Sequence, residues 1–304
     1  MTALKNLRIL FATNFSDASF RTGRAIAQFG HRFRLDLTIA HVVRSGRASI
    51  AARRELSSFL AEADHFDSCR RTLIESDSPA DSIAELTRTG SFDLVMAPAS
   101  DRIGLSRRII PSFRAKLMRL AEAPLWTIGP ALDHLDFQAD MDTVACVMDF
   151  GHGADETLRL ASAFSASAGA RLRIIGIVPP VSEGDLVHPD DKPTPLGAAM
   201  AVKHILAALQ GISTPDVDVV IGSQWRHVAR LLRDCQASVA FLCPSQALIP
   251  EWIPRLRSHV DRLPCPVICV DGAASRFNRW TFERERDWLA ELQPKSETLL
   301  ARVG

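Results

Sequence analysis

The chain repeats its own pattern, and this repetition constrains its fold more than any other feature. Five segments of the first half align, in the same order, with five segments of the second half. The aligned pairs are 8–15 with 143–150, 25–30 with 160–165, 37–43 with 172–178, 92–98 with 238–244, and 123–128 with 265–270. Matching segments in a fixed order indicate an internal duplication. The 304 residues suit two such units, because domains commonly contain about 100–150 residues.

Within each half, short apolar runs alternate with segments of helical periodicity. In the first half we predict strands at 7–12, 37–43, 71–75, 93–97 and 125–128, and helices that start near Ser16 and Pro79 or cover 48–66 and 112–121. Ser16 is a good N-cap, and proline is common in the first turn of a helix. Strands that are apolar throughout are typical of a parallel sheet covered by helices on both faces. The pattern therefore predicts an α/β fold with right-handed crossovers.

Two segments lie outside the repeat. Residues 179–195 are polar and rich in proline, which predicts an inserted surface loop. Residues 276–303 mix both signs of charge with aromatic residues, which indicates an amphipathic helix packed on the body or on a second subunit. We therefore expect a first unit at 1–135, a second unit at 141–272 that contains the loop 179–195, and a helical extension at 273–304.

The composition argues against several classes of function. Hydrophobic residues make up 47% of the chain and charged residues 23%, the usual mixture for a globular protein. A formal net charge of +1 attracts neither nucleic acid nor an anionic membrane, so we expect neither as a partner. The N-terminus lacks signal-peptide organisation and no apolar run is long enough to cross a bilayer, so we expect a cytoplasmic protein. The six cysteines form no CxxC pair, which favours buried thiols over a metal site or disulfides.

Several stretches resemble the universal stress protein family. They are the strand and turn at 9–19, the strand end at 41–43, the helix start at 77–79, the loop at 101–112 and the turn at 122–124. The resemblance covers most of both halves and implies two tandem universal-stress-protein-like domains, each a five-stranded parallel sheet of order 3-2-1-4-5. In the family the fifth strands pair between subunits. The resemblance therefore implies that 125–128 and 267–270 pair inside this chain, which leaves the C-terminal extension to form a homodimer.

Many members of the family bind ATP, but the phosphate loop is altered in the first half. ATP-binding members carry G-x-x-G, nine residues and then G-[S/T], because backbone N–H groups must approach the phosphates closely. At the glycine positions this chain has Pro98, Asp101 and Pro111, and Ser112 alone fits the pattern. Losing two or three charge-assisted bonds of roughly 1.5–3 kcal/mol each would remove about 3–9 kcal/mol, whereas the whole binding free energy of a micromolar site is only about 8 kcal/mol. We therefore expect ATP binding to be weakened or lost.

The resemblance assigns further ligand contacts to the ends of the first two strands of each half. The matching positions are Asn14 and Val43 in the first half and Asp149, Phe150, Gly151 and Val178 in the second. Asp149 either matches the family's acidic contact to the nucleotide or caps the turn at 150–151, and the sequence leaves both roles open. The loop after the second half's fourth strand is shortened and has no glycine. A nucleoside, AMP or another small ligand therefore fits the second repeat better than ATP.

Basic residues without an acidic neighbour crowd the segment 102–119, where Arg107 could hold an anion by its side chain. A solvated helix face is the alternative for such a run. The sequence shows no spacing of nucleophile, base and acid that is typical of a catalytic site. The carboxylate pair at 190–191 lies in a predicted loop, which would not hold metal ligands rigidly. We therefore expect a non-enzymatic stress-response protein that acts through protein contacts, without a metal or an obligatory cofactor. The alternative is a sensor of an adenine nucleotide or other small ligand at the second repeat.

Overall fold

The computed structural model of the protein describes nine ranges and one further residue. They are 6–47, 49–66, 68–98, 113–128, 132, 141–148, 154–178, 216–221, 225–242 and 263–270. The strands are β1 (Asn6–Thr13), β2 (Arg34–Val43), β3 (Ser68–Glu75), β4 (Leu94–Ala97), β5 (Leu125–Thr127), β6 (Thr143–Met148), β7 (Arg171–Val178), β8 (Asp216–Ile221), β9 (Val239–Leu242) and β10 (Val267–Cys269). The helices are α1 (Asp17–Arg32), α2 (Ile50–Ser58), α3 (Pro79–Gly90), α4 (Phe113–Leu120), α5 (Ala154–Ala168) and α6 (Trp225–Asp234), with a 3-10 helix at Ala61–His65.

The strands form a single ten-stranded sheet in the order β3-β2-β1-β4-β5-β10-β9-β6-β7-β8. Neighbours are parallel within each half, and β5 and β10 pair antiparallel at the centre. The five strands predicted for each half thus lie in one continuous sheet, which does not divide into two domains. The predicted pairing of the fifth strands is confirmed, since Trp126 lies opposite Ile268. This pairing covers the edge strand that each half-sheet would otherwise expose at the centre, β5 in one half and β10 in the other.

The register of the sheet corrects one part of the repeat alignment. The alignment matches Leu94 with Ala240, whereas Leu94 lies opposite Ile9 and Val239 lies opposite the repeat-equivalent Val144. Leu94 and Val239 face the same large core, and Ala240 faces the other side of the sheet. The fourth-strand alignment is therefore wrong by one residue, a shift that would exchange the two faces of the strand. Both strands are buried on both faces, so no polar alternation in the sequence marks the register.

Two predicted helix starts are confirmed. The Ser16 Oγ accepts a hydrogen bond from the Ser19 N–H at 3.3 Å and caps α1. Pro79 opens α3, where its missing N–H costs no helical hydrogen bond. These starts turn the chain away from the ends of β1 and β3 and begin the crossovers of the first half.

The predicted helix at 48–66 is shorter in the structure, because α2 ends at Ser58. Leu60 has a left-handed backbone with φ of 53°, which interrupts helical hydrogen bonding. The guanidinium of Arg71 on β3 donates to the backbone oxygens of residues 59 and 60 at 3.3 and 3.2 Å. Gly23 on α1 provides the space for the Leu60 side chain, since a Cβ there would lie 2.6 Å from its Cδ1. Tertiary contacts thus stabilise the early end of α2, which local helix propensity did not predict.

One large hydrophobic core covers one face of the sheet and crosses from the first half into the second. At the crossing, Phe164 of α5 contacts Phe29 of α1 and Phe33, which caps the end of α1, with ring centroids 5.9 and 5.2 Å apart. It also contacts Phe241 of β9 at 5.5 Å. Two smaller clusters cover the opposite face, and both contact Met118 of α4. The two halves of the described chain are therefore packed against each other by shared side chains.

Candidate functional site

The strand order reverses at two places, between β1 and β4 and between β6 and β9. In open α/β sheets, ligands bind outside the carboxyl ends of the strands at such reversals. The strands of the two halves run in opposite directions, because β5 and β10 pair antiparallel. The two candidate sites therefore open at opposite ends of the sheet, where one small ligand cannot contact both.

In the first half, the turn after β1 is held by hydrogen bonds among its own side chains. The Asn14 Oδ1 accepts bonds from the Ser16 N–H at 3.2 Å, the Ser16 Oγ at 2.7 Å and the Ser19 Oγ at 2.7 Å. The Ser19 Oγ accepts from the Asn14 N–H at 3.2 Å. Phe15 lies inside this turn with a left-handed φ of 60°. The amide oxygen of Asn14, a predicted ligand contact, thus stabilises the turn and the start of α1.

His41 and Phe15 pack together over the ends of β1 and β2. The His41 Nδ1 lies 2.8 Å from the Thr13 carbonyl oxygen, and because that oxygen can only accept, Nδ1 carries the proton. The His41 ring packs on the Phe15 ring, with centroids 4.2 Å apart. Val43, another predicted contact, uses its carbonyl oxygen to accept a bond from the Ser76 N–H at 2.8 Å. The sequence named His41 as a strand end but carried no signal for this packing, which depends on the turn conformation of Phe15.

Pro98 follows β4 directly and is buried. It occupies the first glycine position of the phosphate-loop pattern, at the carboxyl edge beside the first reversal of strand order. Its ring nitrogen has no hydrogen to donate. A phosphate at this place would therefore meet an apolar ring where the pattern requires an N–H group.

Arg114 on α4 is buried, with 2% of its side chain exposed, so the solvated-face interpretation of 102–119 is wrong at this residue. Its Nη1 donates to the Thr127 Oγ1 and to the Ile128 carbonyl oxygen, each at 3.3 Å. The same guanidinium lowers the pKa of the Cys269 thiol, but burial is the larger effect and raises that pKa to about 12. Lys116 on the same helix is exposed. The basic segment therefore contains one structural arginine that binds α4 to the end of β5.

The remaining predicted site residues are not brought together by the described structure. Val178 is the last residue of β7, and its backbone lies opposite Ile221 of β8. Position 149 comes directly after β6, at the second reversal of strand order. The predicted residues that lie outside the described ranges are Arg107, Ser112, Asp149, Phe150 and Gly151.

The described ranges hold no group of three His, Cys, Asp or Glu side chains that could bind a metal ion. Cys146, Cys265 and Cys269 are buried as predicted, Cys69 and Cys235 are half-buried, and none of these five described cysteines forms a disulfide. Burial raises the pKa of the Cys265 thiol as it does that of Cys269, so neither is a reactive thiolate at neutral pH. In the part of the chain that the structure describes, no helix is long and apolar enough to cross a membrane.

Comparison with solved structures finds the same fold at low sequence identity. A universal stress protein from Archaeoglobus fulgidus DSM 4304 is 16% identical with a TM-score of 0.64, covering 87% of this chain and 96% of that one. A protein from Pseudomonas aeruginosa UCBPP-PA14, provisionally named a universal stress protein, is 15% identical with a TM-score of 0.56, covering 89% and 94%. The cytoplasmic domain of a prokaryotic cation chloride cotransporter is 11% identical with a TM-score of 0.52, covering 91% and 99%.

Comparison at the sequence level finds a family match in the first half of the chain. The chain has no significant match among curated proteins. The model of the universal stress protein family matches residues 5–129, which contain β1 to β5 and the first candidate site. At the sequence level the chain is thus similar to the universal stress protein family over residues 5–129.

Proposed function

We propose that this protein serves in the stress response through contacts with proteins, and that ATP binding in its first half is weakened or lost. The family of residues 5–129 supports the stress-response role. The proposed loss of ATP binding rests on the carboxyl ends of the first-half strands. There Pro98 stands at a loop-glycine position, and the Asn14 side chain is hydrogen-bonded within its own turn. Polar groups that already hydrogen-bond to one another leave few donors and acceptors for a nucleotide.

Breaking the contacts of the turn after β1 would cost free energy in addition to the loss of N–H groups that could bind phosphate. A nucleotide that reached the Asn14 amide would have to replace the bonds to Ser16 and Ser19, each worth about 0.5–1.5 kcal/mol. Separating the Phe15 and His41 rings would cost a further 0.5–1.5 kcal/mol or so. These terms and the missing donors of the loop together approach the whole free energy of a micromolar site, about 8 kcal/mol.

The test is calorimetric titration of the purified protein with ATP, ADP and AMP, combined with analysis of any nucleotide released on denaturation. We expect no saturable heat and no retained nucleotide. Replacing Pro98, Asp101 and Pro111 together by glycine should create measurable ATP binding, because these substitutions restore the missing N–H groups and remove a carboxylate. The matched control replaces Pro189, Pro193 and Pro195 by glycine in the other proline-containing loop. Tight, stoichiometric binding of ATP to the unaltered protein would refute the proposal.

A second candidate function, sensing of AMP or another small ligand, concerns the second repeat. The strand order reverses beside β6, and Asp149 is the next residue in the chain. A carboxylate at such a reversal suits a ligand hydroxyl group, such as that of a ribose. Binding of AMP that Asp149→Ala abolishes would favour this function, together with the neighbouring candidates Phe150, Gly151 and Val178. AMP binding unaffected by Asp149→Ala would exclude this site as the sensor.

The organisation that we propose follows from the repeat. The units are 1–135 and 141–272, with the loop 179–195 inside the second, followed by the extension 273–304. We propose further that the protein is not an enzyme, that it acts in the cytoplasm and that the extension mediates a homodimer. Deleting 276–304 would test the last point, since unchanged association of the shortened chain would exclude that role.

A further inference from the structure

The outer strands of the described sheet are β3 and β8, which occupy the same place in the two halves. β3 pairs with β2 and β8 pairs with β7, so each has one side without a strand neighbour among the described residues. Such an edge presents a row of backbone N–H and C=O groups to any strand that can align with it. β3 has eight residues and β8 has six, lengths that allow a sustained ladder.

The β3 edge carries a small ion cluster with an excess of positive charge. The Asp36 carboxylate of β2 lies 3.6 Å from the Arg8 guanidinium of β1 and 3.7 Å from the Arg70 guanidinium of β3. Two cations share one anion, which gives the cluster a formal charge of +1. Arg70 is the outermost member, with 67% of its side chain exposed.

The β8 edge carries the inverse cluster. The Arg173 guanidinium of β7 lies 2.7 Å from the Asp218 carboxylate and 3.6 Å from the Asp216 carboxylate, both on β8. Two anions share one cation, which gives a formal charge of −1. Asp216 is the most open member, with 82% of its side chain exposed.

Both clusters lie on the same face of the sheet. Arg70 lies opposite Thr38, whose neighbours along β2 belong to the large core, so Arg70 points to the other face. Asp216 lies opposite Arg173, which likewise stands between two residues of the large core. β3 and β8 also run in opposite directions, because the halves join through antiparallel strands. A second copy placed beside the first would therefore align its β3 antiparallel to β8, with the opposite charges on one face.

We propose that the protein self-associates by adding β3 of one copy to β8 of a second copy, with Arg70 reaching the Asp216 and Asp218 carboxylates across the new ladder. The contact joins two different surfaces, so it propagates as a row of copies unless the geometry closes it. Pairing of two β3 edges would bring together two positive clusters, and pairing of two β8 edges two negative ones. Charge thus favours the β3–β8 contact over both β3–β3 and β8–β8 contacts. The proposed contact does not depend on nucleotide binding.

The variants that test this contact leave each cluster with a charge partner. Without Arg70, Asp36 keeps Arg8, and without Asp216, Arg173 keeps Asp218. The experiment is sedimentation velocity of the full chain over a range of protein concentrations at low and high salt. We expect the unaltered protein to associate more strongly at low salt, and Arg70→Asp and Asp216→Arg each to weaken association on the order of tenfold. The matched control is Arg159→Asp, which reverses an exposed charge on α5 and should change nothing.

The decisive measurement mixes the two variants. The Arg70→Asp protein has two acidic edges and the Asp216→Arg protein two basic ones, so neither should assemble beyond the dimer that the extension forms, but an equimolar mixture should. Restored association in the mixture also shows that both variants are folded. Three results would overturn the proposal: an unaltered protein that forms nothing larger than a dimer at about 0.1 mM in low salt, a mixture that forms nothing larger than a dimer, or assembly of Arg70→Asp as strong as that of the unaltered protein, which would show that Arg70 does not contribute to the contact.

Discussion

Replacing Phe164 by alanine tests whether the two halves unfold as one unit. Phe164 belongs to α5 of the second half and is 2% exposed. Its ring contacts two rings of the first half, on α1 and on the residue that caps its end, and one ring of β9. Truncation of a buried phenylalanine costs about 3–5 kcal/mol, a range that includes the lost ring pairs of about 0.5–1.5 kcal/mol each. We therefore expect Phe164→Ala to lower the free energy of unfolding by about 4 kcal/mol.

The assay is urea denaturation followed by circular dichroism, with hydrogen exchange read separately on peptides from β1 and β6. With a denaturant slope of about 3 kcal/mol/M, the midpoint should fall by roughly 1–2 M in one transition. Exchange protection should fall together on β1 and β6, because the core that Phe164 completes crosses both halves. The control is Phe20→Ala, a ring that is 48% exposed and should cost less than about 1.5 kcal/mol. Lost protection confined to β6 would refute the reasoning and show that the halves unfold independently.

Two further predictions concern the first site and the buried thiols. Asn14→Ala should lower the free energy of unfolding by about 1–2 kcal/mol in urea, because its Oδ1 holds the turn and the start of α1; an unchanged midpoint would contradict that role. The pKa of the Cys269 thiol is raised from 9.0 to about 12, so above pH 9 the unfolded chain loses this proton before the folded one. Stability should therefore fall as pH rises from about 9 to about 12, by up to about 1.4 kcal/mol per pH unit from this thiol. Urea midpoints should fall less steeply with pH in Cys269→Val, and equal slopes would exclude the effect.

The sequence predicted the elements of the fold well wherever its signals were local. Ser16 and Pro79 start helices as predicted, because N-caps and first-turn prolines act within a few residues of themselves. The end of α2 was missed, because the left-handed conformation of Leu60 depends on a glycine of α1 and an arginine of β3. Arg114 was missed as a buried residue for a similar reason: its partners Thr127 and Ile128 come from the next strand.

For the candidate site, the sequence identified the strand ends and showed that proline, which has no N–H group, follows β4 at position 98. It did not predict that Asn14 and His41 would bond to their own neighbours, because that arrangement requires the left-handed turn at Phe15 and the parallel contact of β1 with β2. Side-chain types show what a strand end can bind, but the folded backbone decides which of those groups are already used.

The sequence by itself predicted an α/β protein with two similar halves, because the repeat and the apolar runs are properties of order along the chain. Only the tertiary structure decided that the halves share one sheet and one aromatic core, with their candidate sites at opposite ends. The same holds for the inverse charges at the two sheet edges, since Asp36 and Arg173 meet their partners on neighbouring strands. Strand direction and register arise from contacts between residues far apart in the chain, and no local pattern specifies them.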